Sequence, residues 1–201
     1  MKGVANIKRK YDFLFTGVGG QGTILASDIV SEVGMRCGYD VKKSEVHGMS
    51  QRGGAVESHV RWGEKVYSPL IEEGEADFLL AFEMLEAARW TQFVSAGTVA
   101  LVNRHRILPP TVYLGQAKYP EEKEIEDILT GAGSKVVWIE GTARAVELGN
   151  PALAGVVLLG TLSKYFDEPL DVWENSLMNL VPEKFRDLNI KAFHAGREFQ
   201  G

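Results

Sequence analysis

The sequence predicts an α/β fold: a doubly wound, mostly parallel Rossmann-like sheet with a small antiparallel hairpin addition and C-terminal helices. The aromatic and β-branched run Tyr11 to Thr16 passes through a glycine turn into apolar residues at helical spacing. Short apolar strands then alternate with helical segments, giving about five sheet strands along the chain, which is typical of doubly wound domains. The polar alternation of Ala55 to Trp62 differs from these buried strands and predicts the antiparallel addition.

Composition limits the class of protein. The chain has 201 residues and a formal net charge of −5, so residues 1–201 are expected to form one domain. Its Lys and Arg residues are scattered, which predicts no nucleic-acid partner and no basic membrane-binding face. No apolar run approaches the roughly 20 residues of a membrane span, and the basic N-terminus lacks a signal-peptide core. A cytoplasmic chain is expected.

The sequence contains one cysteine, Cys37. A single thiol cannot form an internal disulfide, an iron–sulfur cluster or a zinc site built from several cysteines. Cys37 is therefore expected to act as a small apolar residue late in the first helix, between Thr23 and Cys37.

The turn after the first strand is a candidate anion site. Its sequence is Gly-Val-Gly-Gly-Gln-Gly, the G-x-G-x-x-G pattern between a strand and a helix. Glycines allow backbone N–H groups to face a phosphate, and the helix N-terminus adds a partial positive charge. The candidate ligand-binding residues are Gly17, Gly19, Gly20, Gln21 and Gly22. The alternative is a tight connection that packs closely and binds nothing.

The second strand, Tyr39 to Val46, leaves a nicotinamide-binding interpretation open. Glu45 lies about 20 residues past the motif glycines, where a dinucleotide fold places its ribose-binding acid. However, Lys42, Lys43 and Ser44 make this strand polar, whereas a buried parallel strand is normally apolar.

The segment Ser44 to Gly54 has a composition that suits neither a core strand nor an ordinary helix. Arg52 offers a rigid fork of donors for a phosphate or carboxylate, and His47 titrates near neutral pH. These two are the candidate catalytic residues. Further candidates for ligand binding in this segment are Ser50, Gln51, Gly53 and Gly54. The alternative is a solvated glycine turn between two strands.

The alternation in Ala55 to Trp62 predicts an edge or antiparallel strand with one wet face. Lys65 to Ser68 is expected to pair with it through a Gly63-Glu64 turn, forming the hairpin. His59 is then expected to be a surface residue of this strand.

The remaining chain alternates short strands with helices. Glu83 follows the strand Ala76 to Phe82 and is interpreted either as a site residue or as an acid at a helix N-terminus. Asn103, Arg104 and Arg106 lie at another strand end and are interpreted as anion contacts or as solvated loop residues. The predicted elements are strands at 98–103 and 135–139 and helices at 85–93, 121–129, 141–148, 152–166, 171–180 and from 182 onward. Small residues in the helix at 152–166 predict close packing against another helix or subunit.

Taken together, these motifs identify a family resemblance. The glycine turn, the Ser44 to Gly54 segment and Ser58-His59-Val60-Arg61 resemble the gamma subunit or domain of 2-oxoacid:ferredoxin oxidoreductases. Similar patterns at 67–71, 74–77, 81–83, 188–193 and 195–196 extend the resemblance along nearly the whole chain. Gly155 departs from the family pattern, which has asparagine there.

The resemblance implies an accessory subunit of a complex that oxidatively decarboxylates an arylpyruvate such as indolepyruvate. The acyl group passes to coenzyme A, the co-substrate, and two electrons pass to ferredoxin. It implies that this chain alone binds no cofactor. Thiamine diphosphate, magnesium and the iron–sulfur clusters are then expected on a larger partner subunit. Two alternatives remain: a stand-alone NAD- or FAD-binding oxidoreductase, and a purely structural subunit.

Overall fold

A computed structural model describes residues 9–47 and 54–199, with His47 described by its backbone alone. Its strands are β1 (Tyr11–Val18), β2 (Asp40–His47), β3 (Ala55–Gly63), β4 (Phe78–Ala81), β5 (Val99–Asn103) and β6 (Lys135–Ile139). In the described ranges they form one six-stranded sheet in the order β2-β3-β1-β4-β5-β6. The neighbouring pairs β1-β4, β4-β5 and β5-β6 are parallel, whereas β3 is antiparallel to both β1 and β2.

Helices cover both faces of this sheet. They are α1 (Thr23–Arg36), α2 (Met84–Arg89), α3 (Pro110–Tyr113), α4 (Glu122–Gly131), α5 (Gly141–Glu147), α6 (Ala154–Leu162), α7 (Leu170–Leu180) and α8 (Arg186–Glu198). Phe13 and Phe15 of β1 join a core formed with α1, α6, α7 and α8. Leu14 points the other way and joins a second core formed with α2 and α4. The alternation of side chains along each strand thus builds the two layers of the predicted doubly wound fold.

The small residues of α6 serve close helix packing, as the sequence predicted. A Cβ on Gly160 would lie 2.0 Å from the carbonyl oxygen of Phe193 in α8, and one on Gly196 would lie 1.9 Å from that of Val157. The backbones of α6 and α8 therefore touch at their crossing. At the N-terminal end of α6, a Cβ on Gly155 would lie 2.5 Å from the ring of Phe82.

The prediction for the antiparallel addition was correct in kind but wrong in its pairing. β3 does not pair with Lys65 to Ser68, which form no strand. It lies between β2 and β1, paired with both. The predicted surface position of His59 is also wrong, because His59 is only 3% exposed. The segment after β3 folds back over that face: Arg61 donates to the carbonyl oxygens of Ser68 and Leu70.

The polarity of β2 follows from its place at the edge of the sheet. Lys43 forms ion pairs with Asp28 and with Glu45 of its own strand. β3 lies between β2 and β1, so Glu45 is two strands away from the glycine turn. This is about 10 Å at the usual strand spacing. In the described part of the chain, none of the helices has the length and apolar character needed to cross a membrane.

Candidate functional site

The glycine turn connects the carboxyl end of β1 to the N-terminus of α1. Gly20 and Gly22 have φ of +100° and +82°, a backbone region that only glycine adopts readily. Gly17 is required for space instead, since a Cβ there would lie 2.9 Å from Thr23 Oγ1 and 3.0 Å from Phe82 Cβ. The motif glycines therefore serve two different purposes.

Gln21 braces this turn from within. Its Oε1 accepts a hydrogen bond from the Val18 N–H at 2.7 Å, and its Nε2 donates to the Phe82 carbonyl oxygen at 2.9 Å. The Gln21 N–H also closes the turn on the Val18 carbonyl oxygen at 3.2 Å. The side-chain amide predicted to bind a ligand thus links the ends of β1 and β4.

The turn retains donors at the start of α1. The N-cap is Gly22, which has no side chain to cap the helix, and the first turn of α1 contains no acidic residue. Initial N–H groups of a helix lack partners within that helix. Thr23 is buried, and its Oγ1 has no hydrogen-bond partner among the described residues. An anion at this end of the helix would be met by N–H groups and by the positive end of the helix dipole.

A cleft of about 290 Å³ opens beside this turn at the carboxyl ends of β1, β4 and β5. Its lining residues are Gly20, Gln21, Phe82, Asn103, His105, Thr142, Pro151, Ala152 and Ala154. The strands that follow β1 in sequence, β2 and β3, lie on one side of it, and β4 lies on its other side. The sheet therefore has its topological switch point between β1 and β4, and open α/β sheets bind ligands at such a point. Among the described residues, this cleft is therefore the candidate ligand-binding site.

Asn103 holds the floor of the cleft together. It is buried, and its Nδ2 donates to the Phe82 carbonyl oxygen at 3.1 Å and to Thr142 Oγ1 at 2.9 Å. Its Oδ1 accepts from the Thr142 N–H at 3.1 Å. Because the same Phe82 oxygen also accepts from Gln21, one hydrogen-bond network joins the glycine turn to the start of α5.

Both described ends of the Ser44 to Gly54 segment lie at this edge of the sheet. His47 ends β2 and pairs with Val56 in β3. The Gly54 carbonyl oxygen accepts from the Gly19 N–H at 2.9 Å, so the end of the segment is tied to the glycine turn. The candidates Ser50, Gln51, Arg52 and Gly53 lie outside the described residues, as does the side chain of His47.

Glu57 and His59, which lie on the same face of β3, form a buried pair. His59 Nδ1 accepts from the Ile71 N–H at 3.2 Å, and its Nε2 lies 3.8 Å from Glu57 Oε1. Burial lowers the pKa of His59 and raises the pKa of Glu57. Glu57 Oε2 has no hydrogen-bond partner among the described residues. Burial therefore favours the neutral form of each group.

The other residues at strand ends have structural roles. Glu83 caps α2, with Oε2 accepting from the Glu86 N–H at 3.0 Å, while its Oε1 accepts from the hydroxyl of Tyr119. Burial and then this hydrogen bond raise the pKa of Tyr119. Arg104 pairs with Glu122 and Glu140, and Arg106 pairs with Glu121. Both arginines therefore form ion pairs with glutamates of this chain.

Sequence reasoning missed His105 and Thr142 as cleft residues. The available signal was their position, since each comes shortly after the carboxyl end of a parallel strand, β5 or β6. Cys37 is half-buried at the end of α1 and packs against the first core, in line with the apolar role predicted for it. Across the described residues, His, Cys, Asp and Glu side chains form no group of three that could hold a metal ion.

The chain is similar to known oxidoreductase subunits along most of its length. The model of the pyruvate ferredoxin/flavodoxin oxidoreductase family matches residues 12–199. Indolepyruvate oxidoreductase subunit IorB of Archaeoglobus fulgidus is 38% identical over 189 residues, covering 93% of this chain and 94% of that protein. The subunit of the same name from Thermococcus kodakarensis is 38% identical over 193 residues, covering 94% of this chain and 95% of that protein.

Solved structures share the fold. The gamma subunit of a keto/oxoacid ferredoxin oxidoreductase from Geobacter sulfurreducens superposes with a TM-score of 0.69 at 26% identity, covering 94% of this chain and 96% of that chain. Pyruvate oxidoreductase subunit PORC from Thermotoga maritima gives a TM-score of 0.72 at 18% identity, covering 95% and 97%. At that identity the second match supports the fold alone.

Proposed function

The chain belongs to the pyruvate ferredoxin/flavodoxin oxidoreductase family, and from this we propose that it is the accessory subunit of a thiamine-dependent 2-oxoacid:ferredoxin oxidoreductase. Indolepyruvate or another arylpyruvate is the proposed substrate, because relatives 38% identical to this chain are named indolepyruvate oxidoreductase subunits. The proposed reaction decarboxylates the 2-oxoacid oxidatively, transfers the acyl group to coenzyme A and reduces ferredoxin. Residues 1–201 act as one gamma-type domain in a cytoplasmic complex.

The donor groups of this chain support placing the cofactors on a larger subunit. Iron–sulfur clusters need several thiolates, whereas the chain has one cysteine. Thiamine diphosphate binds with a magnesium ion held by oxygen ligands; among the described residues, no three His, Cys, Asp or Glu side chains are grouped to hold a metal ion. In this proposal the larger subunit carries thiamine diphosphate, magnesium and the clusters, and the isolated small subunit is inactive.

The observation that carries the proposal is the position of the cleft. It lies at the carboxyl edge beside the N-terminus of α1, and the Gly19 to Gly54 hydrogen bond ties the Ser44 to Gly54 segment to the same edge. A cleft of about 290 Å³ holds only part of a molecule as large as coenzyme A. The partner subunit would enclose the rest.

The glycine turn, Arg52 and His47 each have a proposed task. The N–H groups of the glycine turn and of the start of α1 bind a phosphate of coenzyme A. Arg52 pairs with a phosphate or with the carboxylate of the 2-oxoacid, a charge-assisted contact worth roughly 1.5–3 kcal/mol. His47 orients the substrate or exchanges a proton with it.

Arg52→Ala in the complex reconstituted with its large subunit tests this proposal. We expect the KM for the 2-oxoacid or for coenzyme A to rise about tenfold or more, since 1.4 kcal/mol corresponds to a factor of ten. Steady-state rates measured against each substrate in turn identify which anion Arg52 binds.

Arg144→Ala is the matched control, because Arg144 is an exposed arginine of α5 that pairs only with Glu147 among the described residues. It should leave both KM values unchanged. If Arg52→Ala assembles normally and also leaves both dependences unchanged, Arg52 has no role in binding.

A further inference from the structure

The edge strand β6 has backbone groups that pair with none of the described residues. The Lys135 N–H donates to the Thr98 carbonyl oxygen, and the Ile139 carbonyl oxygen accepts from the Arg104 N–H, so both residues face β5 and its flanking residues. Backbone direction alternates along a strand. The N–H and C=O groups of Val136 and Trp138 therefore point away from the sheet.

Beyond Lys135 at its start, β6 lacks the charged residues that usually protect an edge strand against pairing. Exposed edges are commonly blocked by charged residues, as β2 is by Lys42 and Lys43. In β6, the residues from Val136 to Ile139 are all apolar, and no described element pairs with their outer side. Such an edge can accept a further strand.

A groove of about 580 Å³ runs along this edge, between β6 and the ends of α6 and α8. Apart from residues of β6 itself, it is lined by Arg104, Thr161, Lys164, Tyr165 and Phe199. Its charged lining residues, Arg104, Lys135 and Lys164, are all basic, although the whole chain has a net charge of −5. Arg104 is paired with two glutamates, whereas Lys135 has no ion pair among the described residues.

We propose that an extended acidic segment of the larger partner subunit adds to β6 as a seventh strand and lies in this groove. Its backbone would pair with Val136 and Trp138, and its carboxylates would meet Lys135 and Lys164. The open edge of β6 supplies backbone hydrogen bonds to the added strand, and the basic residues that line the groove favour a segment with negative charge.

A second copy of this chain fits the groove less well. Self-pairing would bring the Lys135 and Lys164 of one copy against the same basic groove of the other. The choice of occupant rests on the proposed function, which supplies a partner subunit, whereas the open edge is a property of this chain.

Hydrogen exchange of the wild-type complex tests the proposal without altering the fold. We expect the amides of Val136 and Trp138 to exchange at least tenfold more slowly in the two-subunit complex than in the isolated chain. If the complex forms and is active but these amides exchange at unchanged rates, the β6 proposal is wrong and the proposed function stands. If the subunits do not associate at all, the proposed function fails as well. Slowing that appears in the isolated chain as its concentration rises would identify a second copy as the occupant and overturn the proposal.

Charge reversal provides an independent measurement. Lys135→Glu combined with Lys164→Glu should weaken assembly with the large subunit about tenfold or more. The control Lys191→Glu reverses an exposed lysine of α8 that does not line the groove. Equal dissociation constants for the double variant and the control would contradict the selection of an acidic segment.

Discussion

At the residue scale, Gln21 has a structural role that the glycine motif does not indicate. Gln21 is a candidate ligand-binding residue by sequence, and in the structure its side-chain amide hydrogen-bonds the backbone of Val18 and of Phe82. The spacing of the motif indicates a turn at this place. It does not indicate that β4 brings a carbonyl oxygen within reach.

Gln21→Glu should destabilise the protein by about 1–3 kcal/mol, because a carboxylate oxygen would replace the donor that faces the Phe82 carbonyl oxygen. The KM for coenzyme A should rise in the reconstituted complex as the turn loosens. Urea unfolding and steady-state kinetics measure the two effects. The exposed Gln116→Glu controls for the added charge. Equal stability of the Gln21→Glu and Gln116→Glu variants would show that the hydrogen bonds of the Gln21 amide contribute little to the stability of the protein.

His59 is a second residue whose environment the sequence did not reveal. It lies beside Glu57 and on the same sheet face as Arg61 and Asp12. Burial is the main cause that lowers the pKa of His59 below 6.5, and the charge of Arg61 lowers it further, whereas the charge of Asp12 opposes this shift. The unfolded chain therefore binds a proton at a higher pH than the folded protein does.

The free energy of unfolding should consequently fall as pH decreases below about 6.5, by at most about 1.4 kcal/mol per pH unit from this group. Below the lowered pKa of folded His59 this loss stops growing. His59→Gln keeps an acceptor for the Ile71 N–H but removes the titration, so its stability should depend less on pH. Chemical unfolding of both proteins between pH 7.5 and 5 tests this, and parallel pH curves would rule the titration out.

At the scale of elements, the crossing of α6 and α8 illustrates a conflict between helix propensity and packing. Alanine is favoured over glycine inside an isolated helix by about 1 kcal/mol. Gly160 nevertheless cannot carry a Cβ without striking the Phe193 carbonyl oxygen, a backbone atom that cannot rotate away.

Gly160→Ala should therefore destabilise the protein by about 3 kcal/mol as the helices separate. Gly131→Ala is the matched control, because Gly131 ends α4 with open space where a Cβ would stand. That variant should be neutral or more stable by about 0.5–1 kcal/mol. Thermal and urea unfolding measure both changes, and a stabilising Gly160→Ala would refute close contact at this crossing.

At the scale of the whole molecule, the insertion of β3 between β1 and β2 argues against the alternative of a stand-alone dinucleotide-binding enzyme. A nicotinamide-binding fold needs its acidic residue on the strand next to β1. Here Glu45 lies one strand farther away and is paired with Lys43.

The isolated chain should therefore show no saturable binding of NAD or FAD. Isothermal titration with each dinucleotide measures this directly, and Glu45→Gln should give the same result as the wild type. Tight binding of either dinucleotide by the isolated chain would restore that alternative.

The sequence by itself determined the α/β class, the order of most elements and the glycine turn. These features depend on local periodicity and on residues such as Gly20 and Gly22, which carry their conformational preference with them. It also identified the family through the Ser44 to Gly54 segment. Exact element ends were less certain, because capping and packing decide them.

Only the tertiary structure decided that β3 is an inner strand, that His59 is buried and that Asn103, His105 and Thr142 share a cleft with Gln21. Strand order and register depend on contacts between distant segments, and alternation within one strand cannot say which neighbour it will pair with. Local pattern therefore placed the glycine turn, while long-range pairing formed the cleft beside it and left the edge of β6 open.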